Sequence, residues 1–190
     1  MAERDRLKWN AKYQDKVQGD APAANDTLRS LSSYLVGGMC LDVACGLGGN
    51  SLYLAKHGYQ VISLDVSDVA VSYLQQKAKQ DNLPITASQV DLDKASLPPE
   101  LYDLVVVTYF LDRQLYKSLK SVVKEGGFIF FETFYEAAGT NEHMNSRFKL
   151  KPFELQDLFR EWKILQFIQD EQKGIQSVFA QKRSADLESN

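Results

Sequence analysis

Between residues 39 and 65 the chain reads MCLDVACGLGGNSLYLAKHGYQVISLD. An apolar run at 39–43 enters a glycine-rich turn. Helical spacing follows from about 49 to 56 and stops at Gly58, and a second apolar run at 60–65 ends in an acid. This is the pattern of a βαβ unit whose ligand-facing loop lies at the carboxyl end of its first strand. Upstream, residues 1–18 are polar and helix-prone, with Trp9 and Tyr13 one turn apart and so on one face. Residues 19–24, with Pro22, break that helix. Asn25 or Asp26 then caps a second helix in which Leu28, Leu31 and Leu35 share a face and Gly37-Gly38 ends the run.

Downstream the alternation of strand and helix continues. Ser67 or Asp68 caps a helix from 69 to about 80 that turns Val71, Leu74 and Ala78 inward, and residues 85–90 make a third strand stopping at Asp91. The polar stretch 91–100, with Pro98-Pro99, reads as a loop. Residues 101–110 contain Leu104-Val105-Val106-Val107, an unalternating β-branched run expected of a central parallel strand buried on both faces. A helix from about 113 to 124 is expected to stop at Gly126-Gly127. The run FIFF at 128–131 is a further buried strand, opening into a loop at 133–149. The rhythm then changes. After a short helix at about 153–160, residues 162–168 and 175–181 are two strands joined by the turn 170–174, a hairpin rather than another βαβ unit. The tail from Arg183 is polar, with fraying expected.

Composition narrows the partners. In 190 residues, 44% are hydrophobic and 25% charged with a net charge of -3, so an ordinary globular α/β core is affordable and a basic stripe for phosphate backbones is missing. Nucleic acid is therefore excluded as a partner, and the apolar runs are too short and charge-interrupted for a membrane span. The opening MAERDRLKWN lacks the apolar core of a signal peptide, and Cys40 and Cys45 are too close together for a disulfide framework, so a reduced, cytoplasmic protein is expected.

The loop itself reads acid-x-small-x-Gly-x-Gly, as Asp42, Ala44, Gly46 and Gly48. A pyrophosphate seated on the helix amino terminus would find the Asp42 carboxylate an unwelcome neighbour. A ligand carrying an ammonium and a sulfonium but no phosphate would prefer it, and the glycines let backbone approach that ligand without Cβ clashes. Asp65, at the tip of the second strand, can accept from a ribose diol. Asp91 can accept from an adenine amino group while the Leu92 amide meets a ring nitrogen; each acid could instead be a cap or a turn residue.

Taken in order, LDVACGLGG, Asp65, VDLD at 90–93, YDLVVVTYFLDR and LKSVVKEGGFIFFET resemble the motif set of class I S-adenosylmethionine-dependent methyltransferases over about residues 8–182. Within that class the WNxxY opening, FLDR and FETF are similar to small bacterial members of the tellurite-resistance TehB group. The resemblance implies a Rossmann-like three-layer α/β/α sandwich with a seven-stranded, mostly parallel sheet in order 3-2-1-4-5-7-6 and an antiparallel strand 7. It implies one methyltransferase domain over 1–190: a cap segment at 1–25, the core at 26–182 and a disordered tail at 183–190. It also implies S-adenosyl-L-methionine as cofactor and S-adenosyl-L-homocysteine as product. Cofactor-binding candidates are Trp9, Tyr13, Asp42, Ala44, Cys45, Gly46, Gly48, Asn50, Asp65, Val66, Asp91, Leu92 and Thr108.

Methyl transfer from a sulfonium is an in-line displacement that needs positioning more than a proton relay, so no triad is expected and none is visible. Substrate-side candidates are Tyr13, Tyr109, Arg113, His143 and Arg147, with Phe134 and Tyr135 as further aromatic walls. The cations suit an anionic or soft acceptor such as a metalloid oxyanion, thiol or selenol. Arg113 could equally pair with Asp112 or a neighbouring helix, and His143 could simply be exposed in a polar loop. His57, beside Gly58, reads as a solvated helix-terminal residue, and Cys45 as a small packing residue without an activating neighbour. No metal-ligand spacing occurs. The fourth strand ends Thr108-Tyr109-Phe110-Leu111 rather than in the Asn/Asp-Pro-Pro-aromatic sequence common in enzymes that methylate exocyclic or amide nitrogens, which argues against nucleobases. Two rivals stand beside this reading: a nicotinamide-dependent oxidoreductase, opposed by Asp42 and the late hairpin, and a non-catalytic module that holds the cofactor only. The chain is expected to act as a monomer or homodimer on a small molecule, with residues 136–147 ordering on binding.

Overall fold

The computed structural model describes residues 2–94 and 96–184. The chain divides into two compact units, 1–99 and 100–190. The first contains α1 (Ala2–Gln14), α2 (Asp26–Ser30), β1 (Gly38–Val43), α3 (Gly49–Lys56), β2 (Tyr59–Asp65), α4 (Asp68–Gln80) and β3 (Ile85–Gln89). The second contains β4 (Tyr102–Thr108), α5 (Tyr116–Val122), β5 (Val123–Phe134), α6 (Glu154–Leu158), β6 (Lys163–Asp170) and β7 (Ile175–Gln181). Their strands form one seven-stranded sheet in the order β3-β2-β1-β4-β5-β7-β6. The β1–β2, β2–β3 and β4–β5 pairs are parallel, whereas β7 runs antiparallel to both β5 and β6.

In the first unit the apolar run of β1 is buried on both faces, with Cys40, Leu41 and Val43 fully inaccessible. The register Val43↔Leu64 and Asp65↔Gln89 brings the carboxyl ends of the three strands level, so the loops that follow β1 and β2 emerge side by side. Helix α3 buries Leu52, Leu54 and Ala55. Helix α4 is capped by Ser67, whose Oγ accepts from the Ala70 amide at 3.1 Å, and buries Val71, Leu74 and Ala78. Its acid lies in the first turn and its lysines in the last, as the helix dipole favours. In the second unit Leu104, Val105, Val106 and Val107 are all fully buried, the behaviour expected of an unalternating central strand.

Several boundaries depart from expectation. The first helix ends at Gln14 rather than near 18 and continues only as turns, Lys16 N–H to Tyr13 O at 2.8 Å and Val17 N–H to the same oxygen at 3.2 Å. The second helix stops at Ser30 and a separate 3₁₀ turn, Ser32–Tyr34, follows, so Leu35 lies outside it. Gly126-Gly127 does not end a helix. Helix α5 gives way at Val123, β5 is already paired there with Tyr102, and the register then slips before Leu104 meets Phe128. The glycine pair is thus the irregular stretch of a strand, where Gly126 takes a φ of +74°. The expected helix from 113 opens with a 3₁₀ turn, Arg113–Leu115. β3 ends at Gln89, which leaves Asp91 two positions past the strand. Of the tail expected at 183–190, residues 185–190 lie outside the described residues.

Candidate functional site

The turn after β1 is built from alternating left-handed residues: Ala44 at φ +57°, Gly46 at +54° and Gly48 at +81°. Glycine takes this conformation freely, while Ala44 pays a steric penalty of roughly 1 kcal/mol for its Cβ. The Cys45 amide donates to the Leu64 carbonyl at 2.9 Å, tying the turn to β2, and the Gly48 amide donates to the Cys45 carbonyl at 3.0 Å. Asp65 holds the loop from the adjacent strand. One carboxylate oxygen accepts from the Gly46 amide at 2.8 Å and the other from the Ser67 amide at 2.8 Å. Each oxygen keeps a further lone pair.

Asp42 lies beneath this loop rather than on its open side and is fully buried. Its Oδ2 accepts from the Ser51 hydroxyl at 2.5 Å, and Ser51 Oγ lies 2.9 Å from Ser63 Oγ. Its Oδ1 has no hydrogen-bond partner among the described residues. Burial pushes the Asp42 carboxyl up to about 7, the Ser51 hydroxyl resists that rise and the nearby Asp65 charge adds to it. Burial also raises Asp65, against the pull of its backbone donors, and raises the Cys45 thiol well above its ordinary value. Two acids and a protonated thiol therefore make a locally electronegative, poorly solvated floor, which a cation would relieve.

Helix α1 covers this loop. A Cβ on Gly46 would meet the Tyr13 hydroxyl at 2.8 Å, so the ring rests directly on the glycine backbone. Trp9 stacks on Tyr13 at 5.6 Å between centroids, and the Lys12 ammonium sits 4.2 Å over the Trp9 ring. Burial, reinforced by the Asp65 charge, raises the Tyr13 phenol, keeping it a neutral donor. The connector beyond α1 seals the other side of the turn: a Cβ on Gly49 would lie 2.7 Å from both the Pro22 and Ala23 carbonyl oxygens. Asn50 is nine-tenths buried and its Oδ1 accepts from the Asn25 amide at 2.9 Å, which ties down the connector.

Beyond β2 and β3, an open cleft of about 290 Å³ is lined by Glu3, Arg6, Val66, Gln89, Asp91 and Lys94. The Val66 carbonyl accepts from Gln89 Nε2 at 3.2 Å. Asp91 Oδ1 accepts from the Asp93 amide at 3.2 Å in an Asx turn and Oδ2 lies 3.5 Å from Lys94 Nζ. Leu92 is buried.

In the second unit Thr108 closes β4 and Tyr109 follows with φ +54°. That strained backbone is held by the Tyr109 amide donating to the Glu132 carbonyl at 2.8 Å and the phenol donating to Glu132 Oε1 at 3.2 Å. The half-exposed Tyr109 ring lies 5.3 Å from Phe134. Arg113 is occupied: Nε and Nη2 grip Glu154 at 2.7 and 2.8 Å, while Nη1 and Nη2 donate to the Arg147 and Lys149 carbonyls at 3.2 and 3.0 Å. The Tyr116 hydroxyl adds a bond to Glu154 at 2.8 Å. Arg113 thus clamps the loop 147–149 rather than presenting its charge. His143 and Arg147 are both exposed, with the Arg147 guanidinium over the Phe148 ring at 4.3 Å. Tyr135 is buried. His57 ends α3 in solvent, its Nδ1 2.8 Å from the Tyr53 carbonyl.

Sequence reasoning singled out Trp9 and Tyr13, gave Ser67 only the role of a helix cap and Glu132 only a place at the exit of the fifth strand, and assigned nothing to the Asn10 and Ser51 side chains. Asn10 carried a signal, since an asparagine mid-helix between two aromatic residues is a poor helix former that needs a reason. Glu132 carried another, being an acid that directly continues a buried FIFF strand and is itself buried. Among the described residues no group of acids, histidines and cysteines could hold a metal, and no helix is long and apolar enough to cross a membrane.

The two buried acids at this turn, Asp42 and Asp65, fit a compact cationic ligand that carries a ribose, while the space over Gly46 and Gly48 is taken by Tyr13 and Leu74. Comparison with known proteins points the same way. The family profile described as "Tellurite resistance protein TehB" matches residues 10–177. A probable S-adenosyl-L-methionine-dependent methyltransferase TehB of Haemophilus influenzae is 28% identical over 134 residues, covering 67% of this chain and 46% of that protein. The chain therefore spans a little under half the length of the curated relatives it matches first. The crystal structure of TehB from Haemophilus influenzae superposes with a TM-score of 0.75 at 22% identity, covering 92% of this chain and 67% of that one. Magnesium protoporphyrin IX methyltransferase from Synechocystis PCC 6803, with bound SAH, superposes with a TM-score of 0.71 at 18% identity, covering 96% and 99%. At those identities the structural likenesses speak for the fold.

Proposed function

This chain belongs to the tellurite resistance protein TehB family, and from that premise we propose that it transfers the methyl group of S-adenosyl-L-methionine to a small-molecule acceptor. The observation that carries the proposal is the buried Asp42 carboxylate, with one oxygen unpartnered, directly beneath a glycine turn. A pyrophosphate over that turn would meet two acids at close range. A sulfonium and an ammonium would stabilise both, and this weighs against a nicotinamide cofactor.

Bound there, the cofactor supplies an electrophilic methyl group on a positively charged sulfur. The protein's own contribution is placement. Gly46 and Gly48 let Tyr13 and Leu74 pack against the turn and fix its shape, Asp65 accepts from the ribose diol through its remaining lone pairs, and Asp91 with the Leu92 amide reads the adenine edge. Asp42 acts through the loop as a buried countercharge rather than by contact. Trp9 and Tyr13 keep water off the turn, which favours a displacement in which charge is dispersed. Acceptor selection is assigned to Tyr109, Phe134, His143 and Arg147. Arg113 is withdrawn from that group because Glu154 already holds it. Two exposed cations and an aromatic wall suit a metalloid oxyanion, a thiol or a selenol. We place the protein in the cytoplasm, where its two free cysteines are stable.

Two measurements test this reading. S-adenosylhomocysteine at about a hundredfold over its Kd should stabilise the fold by roughly 2.7 kcal/mol, while NAD should not; the reverse ranking would overturn it. A survey of oxyanion, thiol and selenol acceptors with methyl-labelled cofactor should then yield a labelled product. Tight binding with no product from any of them would make the chain a cofactor-binding module instead.

A further inference from the structure

The side chain of Asn10 joins the cover helix to the loop acid through a closed circuit of contacts. Its Oδ1 accepts from the Ser67 hydroxyl at 2.6 Å and its Nδ2 donates to Asp68 Oδ1 at 2.8 Å. Ser67 is fully buried, and its amide donates to Asp65 Oδ1 at 2.8 Å. Asp65 Oδ2 in turn accepts from the Gly46 amide, and Gly46 lies directly under Tyr13, which sits on the same helix as Asn10. The carboxamide donates to Asp68 through Nδ2 while accepting from Ser67 through Oδ1, so one side chain serves both partners. Arg6 reinforces the junction by donating to the same Asp68 oxygen at 3.0 Å. It also lines, with Glu3, the cleft beyond β2 and β3, so α1 walls the region at both its ends.

We propose that Asn10 is a positioning residue for the cofactor: its hydrogen bonds to Ser67 and Asp68 couple the docking of α1 to occupation of the site at Asp65 and Gly46. The proposal rests on the S-adenosylmethionine reading above. Helix α1 is a poor structure by itself. It is mostly polar, none of its side chains among the described residues is fully buried, and its anchoring comes from the half-buried Asn10 and Tyr13. A ligand that engages Asp65 and the glycine turn fixes the Ser67 amide and the Gly46 backbone in the positions that α1 requires, and a docked α1 holds those same groups in place for the ligand. By linkage each event strengthens the other by the same factor.

The test compares wild type, Asn10→Ala, and the double variant Asn10→Asp with Asp68→Asn, at a temperature where circular dichroism shows all three folded. The double variant exchanges the two partners while preserving an acceptor for Ser67, a donor–acceptor pair between positions 10 and 68, and an acid near Arg6. Calorimetric titration with S-adenosylhomocysteine should show about tenfold weaker binding for Asn10→Ala, as expected for lost hydrogen bonds to a charged group, and recovery to within about threefold in the exchanged variant. Hydrogen exchange should show the α1 amides slowed by the ligand in wild type and not in Asn10→Ala. A residue that merely stabilised α1 would lower the melting temperature and leave ligand affinity within twofold of wild type, and that result would overturn the proposal. So would an exchanged variant as weak as Asn10→Ala. If wild type itself fails to bind S-adenosylhomocysteine, the cofactor reading falls and this coupling falls with it; wild-type binding with unchanged Asn10→Ala affinity overturns the coupling alone.

Discussion

Replacing Asp42 by asparagine should make the unliganded protein more stable and a worse binder at the same time. The ordinary carboxyl value is 3.8 and burial lifts it to about 7 in the folded chain. At roughly 1.4 kcal/mol per tenfold change in proton affinity, that difference amounts to about 4 kcal/mol. Because the folded value is the higher one, the native state holds its proton longer than the unfolded chain, so stability falls as pH rises from about 4 to about 7 and stays low above it. Asparagine carries no charge and can still accept from Ser51. It does place an amide where Oδ1 has no partner, which costs about 1–2 kcal/mol. The net gain at pH 8 is therefore about 2 kcal/mol, or roughly 4–8 °C in a chain of this size. At pH 5 the native carboxyl is already neutral and the gain should vanish. Cys45 and Asp65, the titratable groups that interact with Asp42, are the same in both proteins and largely cancel in the difference. Thermal melts of both proteins from pH 5 to pH 8 measure it, with titration of S-adenosylmethionine at pH 8 showing weaker binding for the variant. A shift in melting temperature of equal size at pH 5 and pH 8, or a variant less stable at pH 8, would refute the account of Asp42 as a buried countercharge.

Asp65→Ala should weaken S-adenosylhomocysteine by roughly 1–3 kcal/mol in calorimetric titration, since the carboxylate also organises the Gly46 and Ser67 amides; an unchanged isotherm removes the ribose assignment. Arg113→Ala should lower unfolding stability by about 1–2 kcal/mol in urea at pH 7. Burial raises the Glu154 carboxyl, but hydrogen bonds from Arg113, the Lys151 amide and Tyr116 outweigh it and leave the value depressed. That contribution is present above the ordinary value of 4.5 and lost as pH falls through the depressed one, so the deficit should shrink in acid to what the bonds to the Arg147 and Lys149 carbonyls supply. A deficit that does not change between neutral and acid pH would show that the clamp is not ionic.

What could be read from the chain beforehand divides along physical lines. Strands buried on both faces announce themselves through unalternating β-branched and aromatic runs, and β4 and the FIFF part of β5 were legible for that reason, whereas β1 and β2 were read from the βαβ pattern and β7 from the hairpin. The strand order was carried by resemblance rather than by periodicity, which says nothing of which strands are neighbours. Gly126-Gly127 misled because glycine after a lysine-rich helix end is a helix stop far more often than a slip inside a strand; pairing of Val123 with Tyr102 is a long-range event that no local pattern records. Asp42 was identified as the distinguishing acid, yet its depth was not, since a carboxylate one residue before a turn gives no sign of which side of the loop it will occupy. Arg113 was left open between an acceptor and a partner, and only folding brings Glu154, forty-one residues away, within 2.7 Å of it.

The placement of β7 between β5 and β6 has a consequence for how the chain is made. β5 pairs on one side with β4, completed earlier in synthesis, and on the other with β7, which emerges only after β6. β6 is made before β7 yet lies outside it, and the antiparallel register Ile129↔Ala180, Phe130↔Phe179 and Phe131↔Val178 belongs to β7 alone. Until residues 175–181 leave the ribosome, the FIFF strand therefore presents an open, aromatic edge of the kind that recruits foreign strands. A pause or a stop codon in that window should produce aggregation rather than a shorter soluble protein, and the nascent chain between Phe134 and Ile175 is where a chaperone would be needed most.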